Sequence, residues 1–171
     1  MTKGDKSMKT IFVFLISAII FCTGCDSKVE NVQKKTAAKE TVKKGFEIMT
    51  DFELAKSQAK INNKPILLIF SGSDWCGWCV KLDQEVFNTQ EFKDWAAENV
   101  ITVIADFPAT RQLPPELAKQ NEELKNTYNV SGFPTVFLLK DDGSVIARTG
   151  YQRGGAANYI RHLKMFTGAA K

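Results

Sequence analysis

Histidine is almost missing from this chain; His162 is the only one. A zinc site draws on about four ligands, and beyond Cys76 and Cys79 the body of the chain adds only that histidine, so no metal is expected. Covalent haem is excluded too, because Val80, not histidine, follows Cys79. Long apolar runs are also lacking. Ile11–Phe21, broken only by Ser17, would rise about 16 Å as a helix against a hydrocarbon core of about 30 Å, too little to span it. Surplus charge is confined to the head of the chain. The net +4 divides into +2 over residues 1–24, +3 over 25–45 and −1 over 46–171, so the body offers no basic face and no nucleic-acid partner is expected. No internal repeat is visible.

What is present divides in the same way. The 171 residues suffice for one domain, and the 44% hydrophobic and 25% charged composition is that of a globular protein. Lys6 and Lys9 precede the apolar run, which ends in Cys22-Thr23-Gly24-Cys25: a charged start and an apolar middle, as in a secretory signal. Met8 is a second natural start. Gly24 before Cys25 resembles a bacterial lipoprotein signal, in which the cysteine is lipidated and becomes the new N-terminus; Cys22, where that pattern usually has Leu, departs from it. The resemblance implies a signal over 1–24, lipidation of Cys25 and a membrane held through that lipid. Asp26 beside the cysteine points to the periplasmic face of the inner membrane, with a periplasmic or secreted protein as the alternative. Residues 25–45, rich in Lys, Glu, Thr and Ala, read as a flexible tether. Of the four cysteines, Cys22 leaves with the signal and Cys25 takes the lipid, so one pair remains.

The body, 46–171, alternates helix and strand. Thr50 with Glu53 is a capping-box pattern for a helix to about Asn62, and Asn88 with Glu91 is another for a helix to about Glu98. Ile66–Phe70 and Val100–Ala105 are apolar runs of strand length, as in strands buried on both faces. A helix is expected from near Cys76, burying Val80, Leu82 and Val86 in part, and another from Pro114-Pro115 to about Tyr128. Thr135–Lys140 and Ser144–Thr149 flank Asp141-Asp142-Gly143 as a hairpin, and a last helix follows Gly154-Gly155 to about Phe166. The expected fold class is α/β, a central mixed sheet flanked by helices.

The chemistry is concentrated in Trp75-Cys76-Gly77-Trp78-Cys79. Two cysteines three apart in the first turn of a helix can close a disulfide ring, and the unpaired N–H groups and helix dipole there favour an anion. A thiol so placed has a pKa below the ordinary value of about 8.5 and is a nucleophile near neutral pH. Cys76 is therefore the expected attacking thiolate. Cys79 is placed to resolve the mixed disulfide by attacking the Cys76 sulfur. A ring closed over so few residues constrains the unfolded chain little, which weighs against a purely structural disulfide.

The strand Ile66–Phe70, then Trp75-Cys76-Gly77-Trp78-Cys79 opening a helix, then Gly132-Phe133-Pro134-Thr135 entering a hairpin, resembles the thioredoxin superfamily over about residues 46–171. The resemblance implies that the bond before Pro134 is cis, that it faces the cysteine pair, and that the backbone at Phe133 pairs with substrate. It implies substrate contacts at Trp75, Gly77, Trp78, Phe133 and Pro134, and no cofactor beyond the Cys76–Cys79 pair. Two departures stand out. Gly77-Trp78 replaces the usual Gly-Pro, so the reduction potential does not carry over. Phe70, or Ile69 with a one-residue gap, stands where the family has a buried Asp that takes the proton of the resolving thiol. That proton then falls to water, to substrate or to a surface carboxylate such as Asp74 or Glu85. The resulting expectation is a thiol–disulfide oxidoreductase outside the cytoplasm, more a reductase than an isomerase or oxidase. Its substrates are disulfide-containing proteins or small disulfides, and a membrane thiol-transferring protein supplies its electrons. The alternative is a non-catalytic binding or chaperone module with a structural or regulatory disulfide. His162 is expected at the surface, and Phe107, Pro108 and residues 109–113 on the rim of the site.

Overall fold

Ile66–Ser71 (β2) is buried at every position and takes the middle of a five-stranded sheet. The computed structural model describes residues 45–167; the expected signal, Cys22, Cys25 and the tether up to Lys44 lie outside the described residues. Around β2 the order is β1 (Ile48–Met49), β3 (Ile101–Asp106), β2, β4 (Thr135–Leu139) and β5 (Val145–Thr149). β1 and β2 run parallel to β3, β4 runs antiparallel to β2, and β5 closes the hairpin on β4. The sheet is therefore mixed, as the two kinds of connection in the sequence imply.

Alternation along the central strands divides the core in two. Ile66, Leu68 and Phe70 of β2, with Phe137 and Leu139 of β4, face α1 (Phe52–Asn62) and α4 (Pro115–Thr127). Leu67, Ile69, Val136 and Leu138 face the other layer: α2 (Gly77–Leu82) with its continuation, α3 (Gln90–Asn99) and α5 (Gly155–Thr167). A strand with apolar residues on both faces shows no period of two in its sequence, hence the unbroken run.

Register determines which end of the sheet carries chemistry. Ser71 pairs with Asp106 and Phe70 with Thr135, so the C-terminal ends of β2 and β3 and the start of β4 lie together. At the opposite end Ile66 pairs with Ile101 and Leu139, and Ile48 and Met49 pair with Thr102 and Val103 near the beginning of β3. Gly45 and Phe46 lie there with Lys64, Val100 and Ile101. The chain therefore enters the domain at the end remote from the tip of β2.

Both expected helix starts move by one residue. Asp51, not Thr50, caps α1, its carboxylate accepting from the Leu54 N–H at 2.9 Å, while Glu53 pairs with Lys56. Thr89, not Asn88, caps α3, its hydroxyl accepting from the Phe92 N–H at 3.2 Å. In each case the later residue has the extended backbone that a cap requires. Two elements are additional. β1 is too short for any pattern to mark it. After α2 the helix widens into one π-helical segment, Asp83–Phe87, in which the Asn88 N–H reaches back to the Asp83 carbonyl at 2.8 Å. The wider turn re-phases the helix so that the adjacent Val86 and Phe87 both enter the core. Val80, expected to be partly buried, is an exposed position at 37%, whereas Leu82 and Val86 are buried.

Candidate active site

β2 ends at Ser71, and the chain turns through Gly72-Ser73-Asp74-Trp75 to start α2. The Gly72 carbonyl accepts from the N–H groups of Trp75 and Cys76, closing the turn. A side chain at Gly72 would collide with the Trp75 indole, since a Cβ there would lie 2.5 Å from the ring. Gly72 thus lets the indole fold back over the turn.

Cys76 is the N-cap of α2, with extended backbone, and its Sγ accepts from the Cys79 N–H at 3.2 Å. The sulfur occupies the place a capping oxygen would take, at the positive end of the helix. Cys76 and Cys79 form a disulfide with a Cα–Cα separation of 5.2 Å. Both are buried, at 7% and 4% exposure, between Trp75 and Trp78, which are exposed at 55% and 53%. Gly77 is exposed, with open space where a side chain would be.

The Phe133–Pro134 peptide is cis. Pro134 lies just before β4, and pairing of Thr135 with Phe70 brings it to the tip of β2. Pro134 and Cys79 line the same cavity of about 220 Å³. Phe133 meets Trp75 edge-on at 5.9 Å and stacks on Phe107 at 5.0 Å. The Trp75 Nε1–H donates to the Phe107 carbonyl at 2.7 Å. Trp75, Phe107 and Phe133 thus form a continuous aromatic wall on one side of the disulfide. Trp78 belongs to a different wall: it packs on Tyr151 at 5.1 Å, with the Lys81 ammonium 5.4 Å from its ring centre.

Two carboxylates hold the first wall in place. Asp106, buried at the end of β3, accepts from the Ser73 N–H at 2.9 Å and hydroxyl at 2.7 Å, and pairs with Arg111. Asp74 accepts from the Ala109 and Thr110 N–H groups, each at 2.8 Å, and from the Thr110 hydroxyl. The Thr110 hydroxyl, then the two amides, hold the Asp74 carboxyl down at about 2, well below the ordinary 3.8. Residues 107–111 are thereby tied to the turn that carries the cysteines. Sequence reasoning placed Phe107 and Pro108 on the rim but missed the clasp, since neither spacing nor residue type links Asp74 to Thr110.

Asp74 and Glu85, the two carboxylates expected near the resolving thiol, are thus engaged elsewhere. Asp74 holds the loop, and Glu85 accepts from the Tyr151 hydroxyl at 2.6 Å, with Lys81 at 3.7 Å. That hydrogen bond, with a smaller contribution from burial, holds the Tyr151 hydroxyl above its ordinary pKa. His162 is half-buried on α5 and bonded to the Thr149 hydroxyl at 2.8 Å. Among the described residues no group of three or more His, Cys, Asp and Glu is arranged to hold a metal. No helix among them is long and apolar enough to cross a membrane.

Comparison with known proteins agrees with this geometry. A family model described as a thioredoxin-like domain matches residues 52–164. The disulfide bond reductase DsbH of Chlamydia pneumoniae is 39% identical over 110 residues, 64% of this chain and 66% of that protein. The thioredoxin-related protein DsbJ of the same organism is 31% identical over 100 residues, 58% of this chain and 29% of that one. The chain therefore spans slightly under two thirds of the first relative and under a third of the second. Among solved structures, a DsbH oxidoreductase superposes with a TM-score of 0.69 at 33% identity, over 82% of this chain and 95% of that one. A thioredoxin from Thermus thermophilus superposes at 0.51 with 16% identity, over 71% and 86% of the two chains, and shares the fold.

Proposed function

The chain belongs to the thioredoxin-like domain family, and from that premise we propose that it is a thiol–disulfide oxidoreductase working as a reductase outside the cytoplasm. The carrying observation is the Cys76–Cys79 disulfide at the start of α2, with Cys76 as the cap. In the reduced protein the Cys76 thiolate is stabilised by the Cys79 N–H and the helix dipole, and attacks a substrate disulfide. One substrate sulfur leaves as a thiolate and the other stays bonded to Cys76. Cys79 then attacks Cys76, the second substrate sulfur leaves, and the disulfide closes. The two electrons gained by the substrate come from the dithiol. The reductive direction is favoured by likeness to a protein named a disulfide bond reductase and by the lack of a histidine between the cysteines.

Substrate contacts are assigned to Trp75 and Phe133 on one wall, Trp78 on the other, and Gly77 and Pro134 between them. Open space at Gly77 and the exposed indoles suit an extended protein segment lying across the disulfide. An export signal over 1–24 and lipid at Cys25 would put this chemistry at the periplasmic face of the membrane, where a thiol-transferring membrane protein would re-reduce the pair.

Insulin-disulfide reduction by wild type, Cys76→Ser and Cys79→Ser tests the assignment. Activity in wild type and its loss in Cys76→Ser are expected; full activity in Cys76→Ser overturns it. The reduction potential of the couple tests direction: a value near about −270 mV suits a reductase, and one near about −120 mV an oxidase.

A further inference from the structure

Cys79 is 4% exposed, and its thiol must lose a proton before it attacks Cys76. The strand behind it offers no carboxylate, since Ile69 and Phe70 are hydrocarbon and Ser71 carries only a hydroxyl. The cavity behind the disulfide does offer one. Cys79, Ser71, Ser73, Pro134 and Asp83 share its lining, and Asp83 is the only carboxylate among its lining residues. We propose that Asp83 accepts the proton of the Cys79 thiol when the mixed disulfide is resolved. The inference rests on the oxidoreductase reading above and deepens it.

Asp83 lies one helical turn beyond Cys79, and its N–H donates to the Cys79 carbonyl, so both side chains project from the same face of α2. It is also the first residue of the π-helical segment. Its Oδ2 accepts from the Asn88 side-chain amide at 3.1 Å, and the Asn88 oxygen accepts from Lys93 of α3 at 2.9 Å. This chain orients the carboxylate and supports its charge. The cavity, at about 220 Å³, has Ser71, Ser73 and Asp83 in its lining and is roomy enough for water between thiol and carboxylate. The neighbouring charged groups have other partners: Asp106 binds Ser73 and Arg111, Asp74 binds the 109–110 amides, and Glu85 binds Tyr151 and Lys81.

The step balances as follows. With Cys76 bonded to a substrate sulfur, the Cys79 S–H proton passes to the Asp83 carboxylate, directly or through water. The Cys79 thiolate attacks the Cys76 sulfur, and the Sγ–Sγ bond forms as the bond from Cys76 to substrate breaks. The electron pair leaves on the substrate sulfur, which takes a proton from solvent; Asp83 then returns its proton to solvent.

Two measurements on the full chain test this, and neither needs the natural substrate. Reduced protein mixed with dithiobis(nitrobenzoate) releases one nitrothiobenzoate as Cys76 attacks and a second as Cys79 resolves. In Asp83→Asn the first phase should keep its rate, while the second slows by about tenfold or more at pH 7 and converges on wild type once the pH exceeds the thiol's own pKa. Asp83→Glu should recover most of the loss. Separately, carbon-13 NMR of Cys79 in a Cys76→Ser background should show its titration falling by about one unit when Asp83→Asn is added, because a nearby carboxylate opposes the thiolate. A second phase with wild-type rate and pH profile in Asp83→Asn, or an unmoved Cys79 titration, overturns the proposal. Loss of insulin reduction in wild type with both Asp83 effects intact would instead count against the functional reading.

Discussion

Tyr159 is fully buried between Phe87 and Phe92, and among the described residues its hydroxyl meets no hydrogen-bond partner. Burial alone holds that hydroxyl far above its ordinary pKa, so it remains neutral and still has its hydrogen-bonding capacity unmet. An orphaned polar group in a core costs about 1–3 kcal/mol relative to one that is bonded or absent. Tyr159→Phe keeps the ring and removes the cost, so it should raise stability by about 1 kcal/mol in urea unfolding. A loss of stability would show that the hydroxyl has a partner in solution. Single residues also explain what sequence could and could not reveal about the site. Cys76 and Cys79 were legible because their spacing is itself a chemical statement. Asp83 was not, because spacing alone does not say which of the carboxylates flanking the motif, Asp74, Asp83 or Glu85, shares a cavity with Cys79.

At the scale of elements, the 107–111 segment is held to the cysteine turn by Asp74, an exposed carboxylate whose partners are the Thr110 hydroxyl and two amides. Its folded pKa of about 2 lies below the ordinary 3.8, so this contribution to the fold is complete above pH 3.8 and is lost as the pH falls toward about 2. The Thr110 amide resonance should therefore titrate with a midpoint near 2; a midpoint at 3.8 would mean that the clasp is open in solution. Asp74→Ala should release the segment at neutral pH, seen as faster exchange of the Ala109 and Thr110 amides. The elements themselves were read with uneven success for physical reasons. Apolar runs and Asp141-Asp142-Gly143 mark strands and a hairpin because burial and turn geometry restrict those positions strongly. Helix starts slipped by one because Thr50 and Asp51, like Asn88 and Thr89, are adjacent residues that can both cap, and backbone conformation decides between them. A two-residue strand and a single wide helical turn leave no period to detect.

For the whole molecule, charge and cysteine divide between a basic head, proposed above as an address, and a near-neutral body that holds the Cys76–Cys79 disulfide. Metabolic labelling with a fatty acid tests the address: label should enter the wild-type chain and be absent from Cys25→Ala, and retained label in the variant would count against lipid at that cysteine. The first described residues and the disulfide lie at opposite ends of the sheet. Gly45 and Phe46 lie beside the beginning of β3, whereas the disulfide lies at the far tip of β2, and the six residues of β2 extend about 20 Å. A pull applied at Gly45 would therefore act on the end of the sheet remote from the disulfide. Lipid at Cys25, as proposed, would leave the exposed indoles and the sulfurs at the end of the sheet opposite Gly45, open to a large partner. With the sulfurs at one end only, the electron donor and the substrate of the proposed cycle would have to use the same face in turn.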